Sequence, residues 1–400
     1  MKAITTLLFI ILAIAGCNKP VVRLESRLIS PDQPQLIKID SIITDAIHQR
    51  AMPGCRLLAA QNGQILINKC YGYIDYDSVT PVGMNTFYDF ASITKIAAGA
   101  PCLMRMYQDG KIDLDKPLCE YFNLDTNGAT LGDALAHQAG FKPWLNLRGK
   151  LATISFELLN SPTFNAENAR TQIREAICNE KLNERGNYLY SDLGFYLYPA
   201  LVKEYYNKEF EQFLIDEFYR PLDIKLCFNP LRYYPKELIA PTENDTIWRK
   251  TIVQGTVHDE GAALMGGVSA HAGLFGRAQD LAVLMQMYLN KGSYNEVQYL
   301  RPETLDKFTT QAFPDNRRGL VFDKTPLDTA INGTPSKMAS RLSYGHTGFT
   351  GSFTWADPAN GLLIVFLCNS TYPCRSTLIS KLDVRTKIHD QLYLLVKERK

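Results

Sequence analysis

The sequence "DFASITKIAAG", residues 89–99, places a serine and a lysine three positions apart at the start of an apolar segment. The pattern predicts one amphipathic helix from Ser92 to Asp109, ended by Gly110. Residues three apart on a helix share a face, with β-carbons about 5–6 Å apart, so Lys95 can reach Ser92. The segment alone leaves two interpretations open: a nucleophile with its base, or a helix cap followed by a solvated lysine.

The catalytic interpretation makes demands on both side chains. A serine hydroxyl is a weak nucleophile until a neighbouring group accepts its proton. Lys95 is such a base only when neutral, so its pKa is expected to fall from about 10.4 through burial or a nearby cation. The backbone N–H of Ser92 would be free at a helix start to hold an oxyanion. This is the one S-x-x-K in the chain, and the aromatic "FYDFA" before it, residues 87–91, predicts burial.

Two further motifs follow in the order that this chemistry needs. Tyr190-Ser191-Asp192 lies in "GNYLYSDLGFYL", and His346-Thr347-Gly348 lies in "SYGHTGFTGSF". The order of the three motifs resembles that of serine β-lactamases and penicillin-binding proteins, most of all the class C β-lactamase, DD-peptidase and esterase branch. The segment "TLGDALAHQAGF", residues 130–141, and the stretch from Val257 to Met285 are also similar to segments of that branch. Together the resemblance covers roughly residues 36 to 395.

The resemblance implies a role for each matching residue. Ser92 would be the acylated nucleophile and Lys95 its base, while Tyr190 would relay protons to the leaving group and help to activate the deacylating water. The backbone N–H groups of Ser92 and Phe349 would form the oxyanion hole. The side chains and backbone expected to line the substrate groove are those of Asp192, His346, Thr347 and Gly348.

Two departures from the family pattern bear on the substrate. Asp192 stands where typical β-lactamases have asparagine, and His346 replaces the lysine that holds the carboxylate of penicillins. Because a histidine is mostly neutral at neutral pH, anion capture should be weaker. We therefore expect a hydrolase of peptidoglycan stem peptides, D-amino peptides or small esters, acting weakly on β-lactams. The alternative is a penicillin-binding sensor or wall-binding lipoprotein with little turnover.

No cofactor or metal is expected. His258, Asp259 and His271 are close in sequence, but their spacing fits no zinc motif, and a structural or groove-lining role is predicted. The formal net charge of +2, from 43 basic and 41 acidic side chains, offers no footprint for nucleic acid. The expected partner is a small-molecule or peptidoglycan-peptide substrate, and a monomer is favoured.

The first 17 residues, "MKAITTLLFIILAIAGC", have the form of a secretory signal. The end of this segment resembles the lipobox of bacterial lipoproteins, which implies lipidation at Cys17. A plain signal peptide beside a cysteine is the alternative. Residues 18–35 are rich in polar and turn-forming residues and are predicted to be a tether. The chain is therefore expected to be exported and anchored to a membrane of the cell envelope by its N-terminal lipid.

The remaining pattern predicts an α+β protein with a β-lactamase/transpeptidase-like fold. Strand signals lie near both ends of the chain, including two apolar runs about an Asn62-Gly63 turn, so one antiparallel sheet flanked by helices is expected. Residues 36–115 and 251–400 would form one α/β lobe, and residues 116–250 an inserted, mostly helical lobe. A groove between the lobes is the expected place for a ligand.

Overall fold

The computed structural model describes residues 23–126, 128–150, 164–328 and 335–399. Cys17, the signal segment and residues 18–22 of the predicted tether lie outside the described residues. Within the described ranges, none of the helices combines the length and apolar character needed to span a membrane. The eight cysteines from Cys55 onward are all free, and Cys55, Cys102, Cys227 and Cys368 are buried.

Strands from both ends of the chain form one seven-stranded sheet, as predicted. Its order is β1-β3-β2-β14-β13-β12-β11. Every neighbouring pair is antiparallel except β1 and β3, so the sheet is antiparallel with one short parallel edge strand. The strands of this sheet are β1 Glu25–Ser26, β2 Gly54–Gln61, β3 Gln64–Gly72, β11 Asp323–Lys324, β12 Tyr344–Thr347, β13 Gly351–Asp357 and β14 Leu362–Asn369.

Smaller sheets and the helices surround this sheet. A three-stranded sheet has the order β4-β8-β5, and two pairs are β6 with β7 and β9 with β10. These strands are β4 Tyr88–Asp89, β5 Cys227–Phe228, β6 Glu243–Asp245, β7 Thr251–Val253, β8 Leu274–Gly276, β9 Ser293–Tyr294 and β10 Val297–Gln298. The α-helices are α1 Pro34–His48, α2 Ala100–Gln108, α3 Leu131–Leu135, α4 Leu147–Lys150, α5 Ala166–Cys178, α6 Leu193–Tyr206, α7 Phe210–Leu214, α8 Glu260–Leu264, α9 Ala278–Leu289, α10 Pro302–Thr309, α11 Leu378–Lys381 and α12 Val384–Glu398.

The turns of the sheet follow from local sequence. Asn62 and Gly63 have φ values of 49° and 79°, the left-handed pair that a two-residue type I′ hairpin requires. The turn predicted after Asp357 also forms, because β13 ends there and β14 begins at Leu362. Residues 116–250 hold helices α3 to α7 and short strands, which is the content predicted for the inserted lobe, while the lobe boundaries stay predictions.

The sheet is covered on both faces, and strand β14 shows how the sequence divides between them. Side chains of successive strand residues point to opposite faces, so an all-apolar strand serves two cores. Leu363, Val365 and Leu367 belong to the large core on the side of the helical segment. Ile364 and Phe366 belong to the second core, against α1 and α12.

The segment after Ser92 is not the single amphipathic helix predicted from the sequence. A 3₁₀ turn over Ala91–Ile93 leads into a π-helical turn, Lys95–Gly99, and only then into α2. Pro101 lacks the N–H that would continue an α-helical ladder back to Ala97. The hydroxyl of Tyr219 instead donates to the Ala97 carbonyl at 2.9 Å. The prediction failed because buried groups from distant segments stabilise a wider turn here.

Candidate active site

Ser92 lies between two proton-exchanging groups. Lys95 Nζ and the Tyr190 hydroxyl each lie 3.0 Å from Ser92 Oγ. Ser92 and Lys95 come from consecutive turns of the same segment, whereas Tyr190 comes from the loop between α5 and α6. The Ser92 side chain is partly exposed, so a substrate can reach its hydroxyl. The contact between Ser92 and Lys95 expected from their spacing is therefore present.

Lys95 differs electrostatically from the sequence-based expectation. Its side chain is fully buried, its ammonium lies 2.6 Å from Asp192 Oδ1, and it donates to the His271 carbonyl at 3.2 Å. Burial acts to lower the pKa of Lys95, but the Asp192 carboxylate and Tyr190 raise it above its ordinary value. The prediction that this pKa falls is wrong, because the residue replacing the usual asparagine is an anion in direct contact. Lys95 is a cation in the resting site.

Asp192 therefore does more than line a groove. Its side chain is 29% exposed, so one side of the carboxylate contacts Lys95 while the other remains open to solvent. It lines a cavity of about 360 Å³ together with Trp144, Tyr196 and Asp259. The carboxylate partner of Lys95 consequently forms part of a cavity wall.

The turn before Ser92 is strained and held by a buried carboxylate. Ala91 has a left-handed φ of 46°, a conformation that costs energy for a residue with a β-carbon. Asp89 accepts the Ala91 N–H at 2.8 Å and the His258 N–H at 2.7 Å. Burial raises the pKa of Asp89 to about 6, although the two N–H donors act in the opposite direction. Asp89 thus joins the serine turn to the segment before α8.

Strand β12 brings the third motif to the site. Ser92, Tyr190, His346 and Thr347 line one cavity of about 410 Å³. A β-carbon at Gly348 would lie 2.6 Å from the Phe90 carbonyl oxygen, so glycine permits the strand end to approach the serine turn. The end of β12 is therefore in place to form one wall of the substrate site.

His346 and Phe349 complete this wall in different ways. Burial, together with Arg318 and Lys95, lowers the pKa of His346 to about 3, and its Nδ1 donates to the Thr347 carbonyl at 2.7 Å. His346 is therefore neutral at neutral pH, as predicted. Phe349 lines the same cavity, with 60% of its side chain exposed. The oxyanion hole predicted at the backbone of Ser92 and Phe349 stays a prediction.

The structure also brings together two residues, Asp259 and His271, for which a structural or groove-lining role was predicted. His271 Nε2 lies 2.9 Å from Asp259 Oδ1, and His271 Nδ1 lies 2.6 Å from Ser269 Oγ. The imidazole stacks on Tyr196 with ring centroids 3.9 Å apart. Because the His271 carbonyl accepts from Lys95, these contacts hold one wall of the lysine pocket.

Arg318 is a site residue that sequence reasoning missed. It is 3% exposed, and its guanidinium carbon lies 5.3 Å from the centroid of the Tyr190 ring. Arg318 precedes β11 in a segment without a catalytic motif. Its position beside Tyr190 depends on contacts between distant parts of the chain, which the local sequence does not indicate.

Comparisons with known proteins agree with this geometry. The Beta-lactamase family model matches residues 39–381. A protein of Salmonella gallinarum named "Putative D-alanyl-D-alanine carboxypeptidase" is 31% identical over 382 residues, covering 85% of each chain. A protein of the same name from Escherichia coli O157:H7 is 32% identical over 352 residues, covering 80% of this chain and 79% of its own.

Solved structures show the same fold at low sequence identity. EstCE1, described as a hydrolase with promiscuous acyltransferase activity, has a TM-score of 0.68 and 18% identity, with coverage of 90% of this chain and 98% of its own. A penicillin-binding protein homologue from Caulobacter crescentus has a TM-score of 0.65 and 15% identity over the same shares. The fold class predicted from the sequence is confirmed. The family match over most of the chain, together with these relatives, shows that the protein belongs to the Beta-lactamase family and is a serine hydrolase.

Proposed function

We propose that this protein hydrolyses peptide or ester bonds through an acyl-enzyme on Ser92. The observation that carries the proposal is the position of Ser92 Oγ, 3.0 Å from both Lys95 Nζ and the Tyr190 hydroxyl. Nucleophile and proton acceptor must lie within such a distance for a serine to be activated. The proposed substrates are peptidoglycan stem peptides that end in D-alanine, D-amino peptides and small esters. The names of the two similar proteins, which refer to D-alanyl-D-alanine carboxypeptidases, support the stem peptides.

The protonation of Lys95 assigns the proton acceptor. Because Asp192 holds Lys95 as an ammonium group, Lys95 has no lone pair to accept the Ser92 proton. Tyr190 is then the base in the reactive form, with its phenolate stabilised by the adjacent Lys95 cation, whose Nζ lies 5.2 Å from the ring centroid. This assignment replaces the predicted role of Lys95 as the base. Burial raises the pKa of Tyr190, and Lys95 becomes the cation that opposes this rise and favours the ionised, proton-accepting form.

The proton balance of the cycle follows from these positions. Tyr190 accepts the Ser92 proton as Oγ attacks the carbonyl carbon, and the backbone N–H groups of Ser92 and Phe349 hold the oxyanion. The C–N or C–O bond then breaks, and Tyr190 returns the proton to the leaving amine or alcohol. A water molecule repeats the sequence against the acyl-enzyme, so that Tyr190 again accepts and returns one proton. Each half-reaction leaves the site in its starting protonation state.

The wall of the cavity argues against efficient hydrolysis of β-lactams. His346 occupies the position of a lysine that holds the penicillin carboxylate in relatives, and it is neutral. The site thereby lacks a strand cation for that carboxylate. Hydrolysis of β-lactams should therefore be slow.

Steady-state hydrolysis by the purified protein tests the proposal. A D-Ala-D-Ala peptide, a p-nitrophenyl ester and a chromogenic cephalosporin would be compared for wild type, Ser92→Ala and Tyr190→Phe. We expect multiple turnovers on the peptide or ester and a loss of more than about a thousandfold in Ser92→Ala. Full activity in Ser92→Ala would overturn the proposal. Stoichiometric acylation without turnover would instead establish the penicillin-binding sensor.

We also propose that the protein works at the cell envelope, anchored through lipid on Cys17. The lipobox-like end of the signal segment supports this location. Metabolic labelling with a radioactive fatty acid would compare the full-length chain with Cys17→Ser. Label on wild type alone is expected, and equal labelling of both chains would contradict the anchor at Cys17.

A further inference from the structure

Tyr190 is flanked by two buried cations, of which only one belongs to a recognised motif. Lys95 Nζ lies 5.2 Å from the ring centroid, and the guanidinium carbon of Arg318 lies 5.3 Å from it. We infer that Arg318 is the second cation of the proton-transfer site, a positioning residue that acts on the reaction by stabilising ionised Tyr190. The inference rests on the proposed role of Tyr190 as the base.

The charge of Arg318 is only loosely neutralised. The neighbouring Asp323 accepts two hydrogen bonds from Arg317, at 2.8 and 3.0 Å, whereas Arg318 Nε lies 3.7 Å from the same carboxylate. Arg318 Nη2 donates to the Tyr188 hydroxyl at 3.4 Å, and Nη1 has no hydrogen-bond partner in the part of the chain that the structure describes. A buried cation with a distant counter-ion acts strongly on its surroundings, because the local dielectric is low.

The position of Arg318 is fixed by the backbone. Its own N–H donates to Asn316 Oδ1 at 3.0 Å. The Asn316 side chain donates in turn to the Ala136 carbonyl at 2.8 Å and to Gln138 Oε1 at 3.0 Å. The backbone at Arg318 is therefore anchored to the segment that follows α3.

The neighbours of Tyr190 explain why a second cation is needed. Besides Lys95 and Arg318, the titratable groups that face it are Asp192, His137 and His346. Burial lowers the pKa of both histidines, so neither supplies a positive charge at neutral pH. Burial raises the pKa of Tyr190, and Asp192, which pairs with Lys95, also opposes ionisation of the phenol. Arg318 thus supplies the charge that the lysine of the third motif would bring in relatives.

Arg317 offers a matched control for the experiment. It precedes Arg318 in sequence, shares its carboxylate partner and lines the same cavity. The kcat/KM of Arg318→Met, Arg318→Lys and Arg317→Met would be measured from pH 5 to 10 on an uncharged p-nitrophenyl ester and on a D-Ala-D-Ala peptide. We expect Arg318→Met to move the acidic limb of kcat/KM to higher pH by about one unit on both substrates. At pH 7 this shift corresponds to a loss of about tenfold in kcat/KM. Arg318→Lys should restore most of the limb, and Arg317→Met should move it far less than Arg318→Met does.

Two outcomes would overturn the inference. One is an unchanged acidic limb in Arg318→Met. The other is a rise in KM confined to the carboxylate-bearing peptide, which would make Arg318 a substrate-binding residue. Circular dichroism would verify that each variant is folded. If Arg318→Met misfolds, the acidic limbs of Arg318→Gln and Arg318→Lys would be compared instead. Acidic limbs at the same pH in these two variants would contradict the inference. Tyr190→Phe and Ser92→Ala separate the two levels. Retention of the wild-type profile in Tyr190→Phe would overturn the role of Tyr190 as the base, whereas full activity in Ser92→Ala would overturn the proposed function itself.

Discussion

Two buried lysines in this protein have pKa values shifted in opposite directions. Lys95 is 0% exposed and Lys324 is 5% exposed. Lys324 Nζ donates to the carbonyls of Thr309 and Ser343, at 2.8 and 3.1 Å, and burial lowers its pKa to about 8. The pKa of Lys95 is raised, because its ammonium contacts Asp192 at 2.6 Å.

The difference shows what a single carboxylate does at the active site. Burial disfavours the charged form of both lysines, and only a close anion reverses that effect. Within the described ranges, Lys324 has no carboxylate at ion-pair distance. The lysine whose pKa is lowered by burial is therefore Lys324, in the sheet. The lysine beside Ser92 is held as a cation by Asp192.

The largest expected effect separates the two lysines by activity. Lys95→Met removes the cation beside Tyr190 and should lower kcat/KM by about a hundredfold or more. Lys324→Met replaces a side chain that does not contact Ser92 or Tyr190 and should keep kcat/KM close to wild type. Ester hydrolysis at pH 7 would measure both variants. Equal losses of kcat/KM in the two variants would contradict the difference between the two lysines.

Asp192→Asn should make Lys95 resemble Lys324. Without the carboxylate, burial is no longer opposed, and the pKa of Lys95 should fall by about one to three units. The alkaline limb of kcat/KM should move to lower pH by a similar amount, because the neutral lysine no longer stabilises ionised Tyr190. Asp192→Glu, which keeps the charge, is the control. An alkaline limb at the wild-type position in Asp192→Asn would contradict the account.

A separate expected effect is on stability and concerns Lys324. The pKa of Lys324 is about 8 in the folded chain and 10.5 as its ordinary value. Between these values the unfolded chain holds a proton that the folded chain has lost, so the free energy of unfolding rises with pH. The contribution is about 3 kcal/mol.

Urea unfolding at pH 7.5 and 10.5 would compare wild type with Lys324→Met. The difference between the two chains should change in favour of wild type as the pH rises. A pH-independent difference would show that Lys324 keeps its proton in the folded state.

Local sequence predicted the parts of the molecule that local geometry determines. The Asn62-Gly63 hairpin formed as expected, and the three-residue spacing placed Lys95 Nζ within 3.0 Å of Ser92 Oγ. The alternation of β14 between two cores follows from its unbroken run of apolar residues. These features depend on residues that are near each other in the chain.

The features that the sequence did not reveal depend on distant contacts. Asp192 lies 97 positions after Lys95, and its direct ion pair reverses the pKa shift expected from burial alone. The irregular helix after Ser92 depends on the hydroxyl of Tyr219, and the cation above Tyr190 comes from Arg318. Motif spacing carries no information about such partners, because each is brought to the site by the fold.

Direct titration of the two lysines tests the central claim, that Lys95 is a cation in the resting site because of Asp192. NMR of the protein labelled with ¹³C at lysine Cε, assigned with Lys95→Met and Lys324→Met, would follow both signals from pH 6 to 11. Lys324 should titrate near pH 8, whereas Lys95 should stay charged to higher pH than an ordinary lysine, and Asp192→Asn should lower the Lys95 midpoint. A Lys95 midpoint near neutral pH in the wild-type protein would contradict the account and return the role of base to Lys95.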